Sequence, residues 1–449
     1  MIATLKIIAP VILYTISCLL IFAALTGKTE WILMFITGLL PLRNVIEKLQ
    51  DYPFGGDLLD IMIIFAMISV FIRAASKKNK EEKVKFTAIH WISIAIIGYT
   101  FLSVINGSLY LNEALIFSIQ DKRIQSWKNF CTMPILFFIT FSTVKDKKLV
   151  WRIITIMCMT MVLMDYYTGQ QVLWYRNIES RVKINGTFVY LGPNEVAAFY
   201  NQYTILLMGL FFYMKKSFKK LGLMFLIFVN LYVVVFLFSR AAYLGLAVGL
   251  FFLFALKKRI LLIPLILAAI SWQVVLPEKV IQRIEMTTGD YNELDKSSEL
   301  RLEAWQLGFD LFSENPIFGV GYGVYRSSGF LLGDTHNIYV KILAEQGLIG
   351  ISIFLLLLFC LFIKGIRLYQ YGDDDLSKGL GLGFAIAILV LSVNNIFGDR
   401  WTYMEISSYL WIIAALVCKL LVMPAENESS KPKTKNKSKV NGIHGKFAV

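Results

Sequence analysis

Cysteine is sparse in this chain. Cys18, Cys131, Cys158, Cys360 and Cys418 lie scattered through apolar runs at no repeated spacing. That excludes a disulfide framework and a zinc-binding cysteine pattern. Histidine is scarcer still, with only His90, His336 and His444. Charge is also thin, at 17% of the residues against 57% hydrophobic, which excludes an ordinary soluble domain. The composition is that of an all-α polytopic membrane protein. Its opening, MIATLKIIAPVILYTISCLLIFAAL, lacks a small-x-small cleavage site followed by a polar chain. It reads as a first span, not as a signal peptide.

Apolar runs long enough to cross a bilayer fall near 7–25, 57–74, 86–104, 129–144, 149–166, 195–214, 221–238, 241–256, 260–276, 348–364, 379–398 and 408–423. They predict about 12 transmembrane helices. The run at 31–42 is too short to cross alone and is either a half-helix or re-entrant piece, or a further span joined to its neighbours. Lysine clusters at 77–85, 145–148, 215–220, 257–259 and 431–439 fall on one side of such a bundle, which marks that side as cytoplasmic. The net charge of +14 is then orientation and inner-leaflet attraction, with no nucleic acid as partner. The remaining polar segments face outward: 105–128, 167–194, 277–347 and 399–407.

The long outer segment 277–347 is the place to look for chemistry, because a loop of that length in a compact chain is functional or disordered, and its sequence argues for order. SSELRLEAWQLGFDLFSE reads as an amphipathic helix capped by Ser297 or Ser298, with Arg301, Trp305 and Phe309 on one face. GVGYGVYRSSG supplies a glycine-rich turn. DTHNIYVKILAEQG reads as a second helix capped by Asp334 or Thr335 and ended by Gly347, which puts His336 in its first turn, just outside the membrane. An imidazole titrates near pH 6.5 and suits a general base, although a histidine that only caps a loop is the plain alternative. Arg240 in FLFSRAAYLGL interrupts two apolar runs at their outer ends. It either snorkels to the interface or faces an anion or a water-filled cleft. Arg301 either shares that cleft, or is solvated or bridged to Glu299 or Asp310. A base beside two arginines at an outer surface suggests chemistry on a lipid-linked diphosphate.

Several ordered blocks carry a family resemblance. HN at 336–337, then nine residues, Gly347, two residues and Gly350, is similar to the signature of the bacterial O-antigen ligase and polysaccharide polymerase family. SRAAYLGL, RLEAW and NPIFGVGYG resemble its accompanying blocks. The likeness covers about 185–365 strongly and the flanking spans by topology. It implies a multi-pass glycosyltransferase of the bacterial inner (plasma) membrane, with its active site on the extracytoplasmic face. Such an enzyme takes part in cell-envelope polysaccharide biosynthesis. It moves an undecaprenyl-diphosphate-linked glycan onto a saccharide acceptor, either lipid A core or another lipid-linked repeat unit. His336 matches the family's catalytic histidine, and Arg240 and Arg301 its arginines. Asn194 in VYLGPNEVAAFY resembles a further block, with Asn337, Trp305, Arg181 and Lys183 as supporting candidates. The organisation that follows is N-terminal spans at 1–184, a catalytic region at 185–365 with the outer loop 277–347, C-terminal spans at 366–424, and a disordered basic cytoplasmic tail at 425–449.

The mechanism expected of that substrate is metal-independent and needs no cofactor. Bidentate arginines neutralise the leaving diphosphate, His336 removes the acceptor proton, and a single displacement inverts the anomeric carbon. The same site serves both acceptors, so these residues do not separate ligase from polymerase, with a slight lean to polymerase. GDDDLSKG at 372–379 resembles a divalent-metal aspartate pair but lies on the basic face, opposite the histidine. Gly319, Gly321 and Gly323 resemble a phosphate loop, yet no strand precedes them and no Lys-Ser/Thr follows, so turn chemistry is the better reading. Asp399, Arg400 and Glu405 read as a structural salt bridge. The alternative class is a polytopic secondary transporter or polysaccharide exporter. Against it stand the absence of a repeat between the halves and of a long central cytoplasmic loop.

Overall fold

Apolar segments in a bilayer must satisfy their own backbone groups, and these do so as helices. The computed structural model describes residues 2–75, 86–114, 121–175, 177–286, 296–327 and 333–423, and contains no strand among them. In chain order the first helices are α1 (Ile2–Leu25), α2 (Thr29–Leu39), the single turn α3 (Arg43–Ile46), α4 (Leu58–Ala75), α5 (Ala88–Tyr110), α6 (Lys122–Thr143) and α7 (Lys147–Trp174). Then come α8 (Pro193–Tyr213), α9 (Phe218–Phe236), α10 (Arg240–Lys257), α11 (Leu262–Ile270), α12 (Trp272–Val275) and α13 (Glu278–Glu285). The series ends with α14 (Lys296–Glu314), α15 (Val324–Ser327), α16 (Ile338–Tyr371), α17 (Asp375–Asn394) and α18 (Met404–Val422).

Among the described residues ten segments are long and apolar enough to cross a membrane, and each coincides with one of the twelve runs read from the sequence. The other two runs differ for physical reasons. The run at 129–144 lies inside α6, a 22-residue helix whose first turns carry Lys122, Arg123 and Lys128 and so dilute its apolarity. The run at 260–276 breaks at Ser271 into α11 and α12, neither of which buries a residue. α2, at eleven residues, rises only about 16 Å and reaches roughly halfway through a hydrocarbon core of about 30 Å. It is a half-helix, pinned at its start where the Thr29 and Ser69 hydroxyls meet at 2.7 Å and Ser69 donates to the Ala24 carbonyl.

The chain turns gather at two ends of the bundle. At one end Lys147 pairs with Asp373 and Asp374, at 3.1 and 2.6 Å, and the Lys257 ammonium sits over the Tyr213 ring. This end holds the basic turns at 145–148, 215–220 and 257–259, while those at 77–85 and 431–439 lie outside the described residues. The opposite end holds the turns 175–192, 237–239 and 395–403, together with α13 and α14.

α8, α17 and α18 are enclosed by their neighbours, whereas α1, α9 and α10 present most of their surface outward. Small residues make the centre possible. A Cβ on Gly209 of α8 would lie 2.4 Å from the Gly383 backbone of α17, and one on Gly379 would lie 3.0 Å from the Leu210 backbone. Gly379 and Gly383 form a GxxxG pair that brings two backbones together where lipid offers no hydrophobic drive.

α16 carries a break at Gly347, where φ is 61° and ψ −162°, a conformation that favours glycine. The break frees carbonyls and amides that the segment 316–321 takes up. Val320 N–H donates to Ala344 O at 2.9 Å and Gly321 N–H to Glu345 O at 3.0 Å, while Leu348 N–H donates to Pro316 O at 2.9 Å. Gly319, Gly321 and Gly323 all have positive φ, and the Tyr322 amide is spent on Ser103 O. The glycine run is thus turn chemistry that completes a broken helix.

Gly383→Leu should reduce the yield of folded, monodisperse protein several-fold in fluorescence-detected size-exclusion chromatography. The same change at Gly222, where an added Cβ meets nothing within 4 Å, should leave it near the wild-type level. Equal tolerance at the two positions would contradict the close α8–α17 contact.

Candidate functional site

α9 stops and α10 starts within three residues, 237–239, with Phe238 forced to a φ of 51°. Such a break leaves terminal carbonyls without helical partners. Arg181, buried in the segment between α7 and α8, supplies them: its Nη1 donates to Leu237 O at 2.9 Å and Phe238 O at 2.7 Å. Both of its terminal nitrogens lie 3.5 Å from Asn194 Oδ1, at the start of α8. Arg283 of α13 reaches the same Phe238 carbonyl at 3.4 Å. Arg240, the first residue of α10, and Arg301 of α14 are both half-buried. Burial, above all, and then the charges of Arg283, Arg240 and Arg301 push the Arg181 guanidinium down to about 10. Four arginines from four segments therefore act on one point.

His336 stands beside this cluster. It lies two residues ahead of α16, not in the helix's first turn as the sequence suggested, and adopts a left-handed φ of 48°. For a residue with a Cβ that conformation costs energy, and the neighbours over-determine it. Trp305 Nε1 donates to Thr335 O at 3.0 Å, and the Thr335 hydroxyl donates to Asn337 O at 2.7 Å and accepts from Asn337 N–H at 3.2 Å. The helix cap is Asn337, whose Oδ1 accepts from the amides of Tyr339 and Val340, in place of Asp334 or Thr335. α14 docks on α16 through Gly308, where an added Cβ would come within 2.4 Å of Val340. Its packed face is Ala304, Gly308 and Leu311, while Phe309 is exposed and leaves the expected stripe. α14 begins at Lys296, so Ser297 and Ser298 are helical and not its cap.

The imidazole retains 35% side-chain exposure, and Nδ1 is 3.9 Å from Asp334 Oδ2. Burial holds its pKa below the usual 6.5; Asp334 and Glu195 act upward, Arg301 and Arg400 downward. It is therefore neutral at physiological pH, as a proton acceptor must be. Asp334 is one end of a chain of charges: Lys341 Nζ is 3.7 Å from it and 3.1 Å from buried Asp399. Asp399 also accepts from the amides of Trp401 and Thr402. Arg400, 3% exposed, pairs with Glu195, the residue after Asn194. Glu405 accepts from the Tyr190 hydroxyl. The expected bridge among Asp399, Arg400 and Glu405 is thus three separate pairs with partners distant in sequence.

Of the residues singled out from sequence, His336, Arg240, Arg301, Arg181, Asn194, Asn337 and Trp305 share this end. Lys183 is exposed, with its ammonium 5.7 Å from the Tyr175 ring centroid, and takes no part. His90 lies toward the basic end against Phe137 and Phe141, and His444 is outside the described residues. Asp373 and Asp374 serve as partners of Lys147, and Asp374 also caps α17 through Ser377 N–H at 2.7 Å. Among the described residues no three potential metal ligands of the His, Cys, Asp and Glu types gather. Sequence reasoning missed Arg283 and Arg400. The first is hidden among the charges of EKVIQRIE, and the second is recognisable only through Glu195, 205 residues away.

Fold and site define a multi-pass membrane protein with a histidine and an arginine cluster gathered at one end. Residues 223–355, which contain Arg240, Arg283, Arg301 and His336, match the family described as O-Antigen ligase. That match covers less than a third of the chain and agrees with the resemblance carried by its ordered motifs. A search of curated proteins finds no match.

Diethyl pyrocarbonate, read at His336 by mass spectrometry against pH, should give a midpoint below 6.5. Asp334→Asn should move it lower still, and Arg301→Gln should raise it. A higher midpoint in Asp334→Asn would contradict the charge arrangement.

Proposed function

We propose that this chain is a membrane glycosyltransferase that moves an undecaprenyl-diphosphate-linked glycan onto a saccharide acceptor at the extracytoplasmic face of the bacterial inner membrane. The observation that carries the reading is the convergence of Arg181, Arg240, Arg283 and Arg301 beside a neutral, strained histidine. A diphosphate bridges several guanidinium groups at once. Arg240 and Arg301 hold the diphosphate, while Arg181 positions them by fixing the α9–α10 turn. His336 takes the acceptor hydroxyl proton as that oxygen bonds to the anomeric carbon. The anomeric carbon–oxygen bond breaks with its electron pair going to the diphosphate, and the configuration inverts. The guanidinium charges supply what a divalent ion supplies elsewhere, so the reaction is metal-independent. The lysine-rich turns at the other end support an extracytoplasmic placement of this end.

Three measurements test the reading. His336→Ala should lower transfer by about 10²- to 10⁴-fold with donor binding kept, whereas Arg240→Ala or Arg301→Ala should weaken donor binding as well, with lysine restoring only part. His336→Ala with near-normal transfer at normal membrane levels, or arginine variants that bind donor like wild type, would overturn the assignment. Purified protein should keep its activity in excess EDTA, and abolition with rescue by magnesium would contradict the arginine-based mechanism. Lys183→Cys should react with an impermeant thiol reagent on intact cells and Ser217→Cys should not; the reverse would invert the orientation.

A further inference from the structure

Away from the arginine cluster, the same end of the bundle encloses two adjoining cavities of about 440 and 470 Å³. Each falls within the roughly 300–1,000 Å³ of small-molecule sites. They share Tyr190, Tyr322, Arg326, Lys341 and Tyr403 in their walls, so they form one chamber between α4, α6, α16 and the segments flanking α8 and α18. Asp334, whose carboxylate faces His336 at 3.9 Å, lines the second cavity, whereas Arg181, Arg240, Arg283 and Arg301 line neither. His336 thus stands between two sites of different chemistry.

The chamber does not resemble an anion site. Lys128 pairs with Asp60 at 2.5 Å, and Lys341 is held by Asp399 and Asp334, so two of its cations are already matched by acids. The rest of its lining combines the Arg43 and Arg326 side chains with phenol rings and hydrogen-bonding groups: Tyr190, Tyr322, Tyr325 and Tyr403, with Asp57, Glu405, Gln125 and Asn129. Arg43 Nε, Glu405 Oε2 and Asp334 Oδ1 are buried and have no hydrogen-bond partner, and all three residues line the chamber. Such atoms can hydrogen-bond to water or to a polar ligand. A sugar ring has an apolar C–H face for an aromatic ring and a rim of hydroxyls that both donate and accept. A dianion has neither.

We propose that this chamber is the acceptor subsite, and that it binds an uncharged saccharide through the Tyr190 ring and the Arg43, Asp57 and Glu405 side chains, delivering one hydroxyl past Asp334 to His336. The proposal rests on the glycosyl-transfer reading above and adds where the acceptor sits and which residues choose it. Donor and acceptor then enter by opposite sides of one histidine, which keeps the diphosphate and the incoming sugar from competing for the same arginines.

The test uses full-length protein in lipid nanodiscs and three probes: inorganic pyrophosphate, the repeat-unit oligosaccharide of the host's surface glycan, and core oligosaccharide released from lipopolysaccharide by mild acid. Binding is read by saturation-transfer NMR and titration. Wild type should bind pyrophosphate and at least one oligosaccharide, and the one bound distinguishes a lipid-linked repeat unit from a core acceptor. Tyr190→Ala and Asp57→Asn, both at exposed positions suited to substitution, should weaken the oligosaccharide about tenfold or more, as loss of an anchoring side chain does. Pyrophosphate affinity should be unchanged in both, and Tyr190→Phe, which keeps the ring, should bind sugar nearly as wild type. Arg240→Ala should show the opposite pattern. Chamber variants that bind sugar like wild type, or sugar binding lost in Arg240→Ala, would overturn the subsite while leaving the transferase reading standing. Wild type that binds neither pyrophosphate nor saccharide would remove both.

Discussion

The Arg181 guanidinium, buried and donating to the carbonyls of Leu237 and Phe238, is the contact on which the functional end of this protein depends. Two helices joined by three residues leave buried carbonyls without helical partners, and a charged donor compensates well. Its consequence is positional. With the α9–α10 turn held and Phe238 locked in a left-handed conformation, Arg240 must start its helix beside Asn194, Arg283 and α14. The result is a cluster of guanidinium groups at one end of the bundle, the arrangement on which the proposed diphosphate site rests.

The histidine is fixed by a second device of the same kind. Broken α16 and strained His336 lie eleven residues apart, and each is completed by chain that precedes it: 316–321 for the break, Trp305 and Thr335 for the histidine. Because Trp305 sits one turn from Arg301 on α14, the helix that carries one arginine also holds the loop that carries His336. Histidine and arginine are therefore positioned by a single element, which favours constant geometry in the proposed transfer step.

The spans were legible because a bilayer imposes one length and one polarity on them, and ten of the runs read by eye are ten helices here. The two that departed did so for local reasons: α6 starts with cations that meet Asp60 and Asp121, and α11 buries none of its residues. Within the candidate site, Arg240 stood out because it interrupts two apolar runs, and His336 and Arg301 because they lie in the one long polar outer segment. Arg283 did not, since its helix is charged throughout, and Arg400 did not, since its partner Glu195 is brought in by tertiary folding. The helix cap was misplaced by two or three residues, because DTHN offers several capping side chains in a row and only the Trp305 contact decides among them. The chamber was invisible in sequence: its walls come from residues as far apart as Arg43 and Glu405.

The most direct test of the central claim is a cryo-EM map of the protein in nanodiscs with undecaprenyl diphosphate bound. The account predicts density for the diphosphate within hydrogen-bonding distance of Arg240 and Arg301, on the side of His336 away from Tyr190. Diphosphate density among the lysines at 215–220, or within the tyrosine-lined chamber, would contradict it.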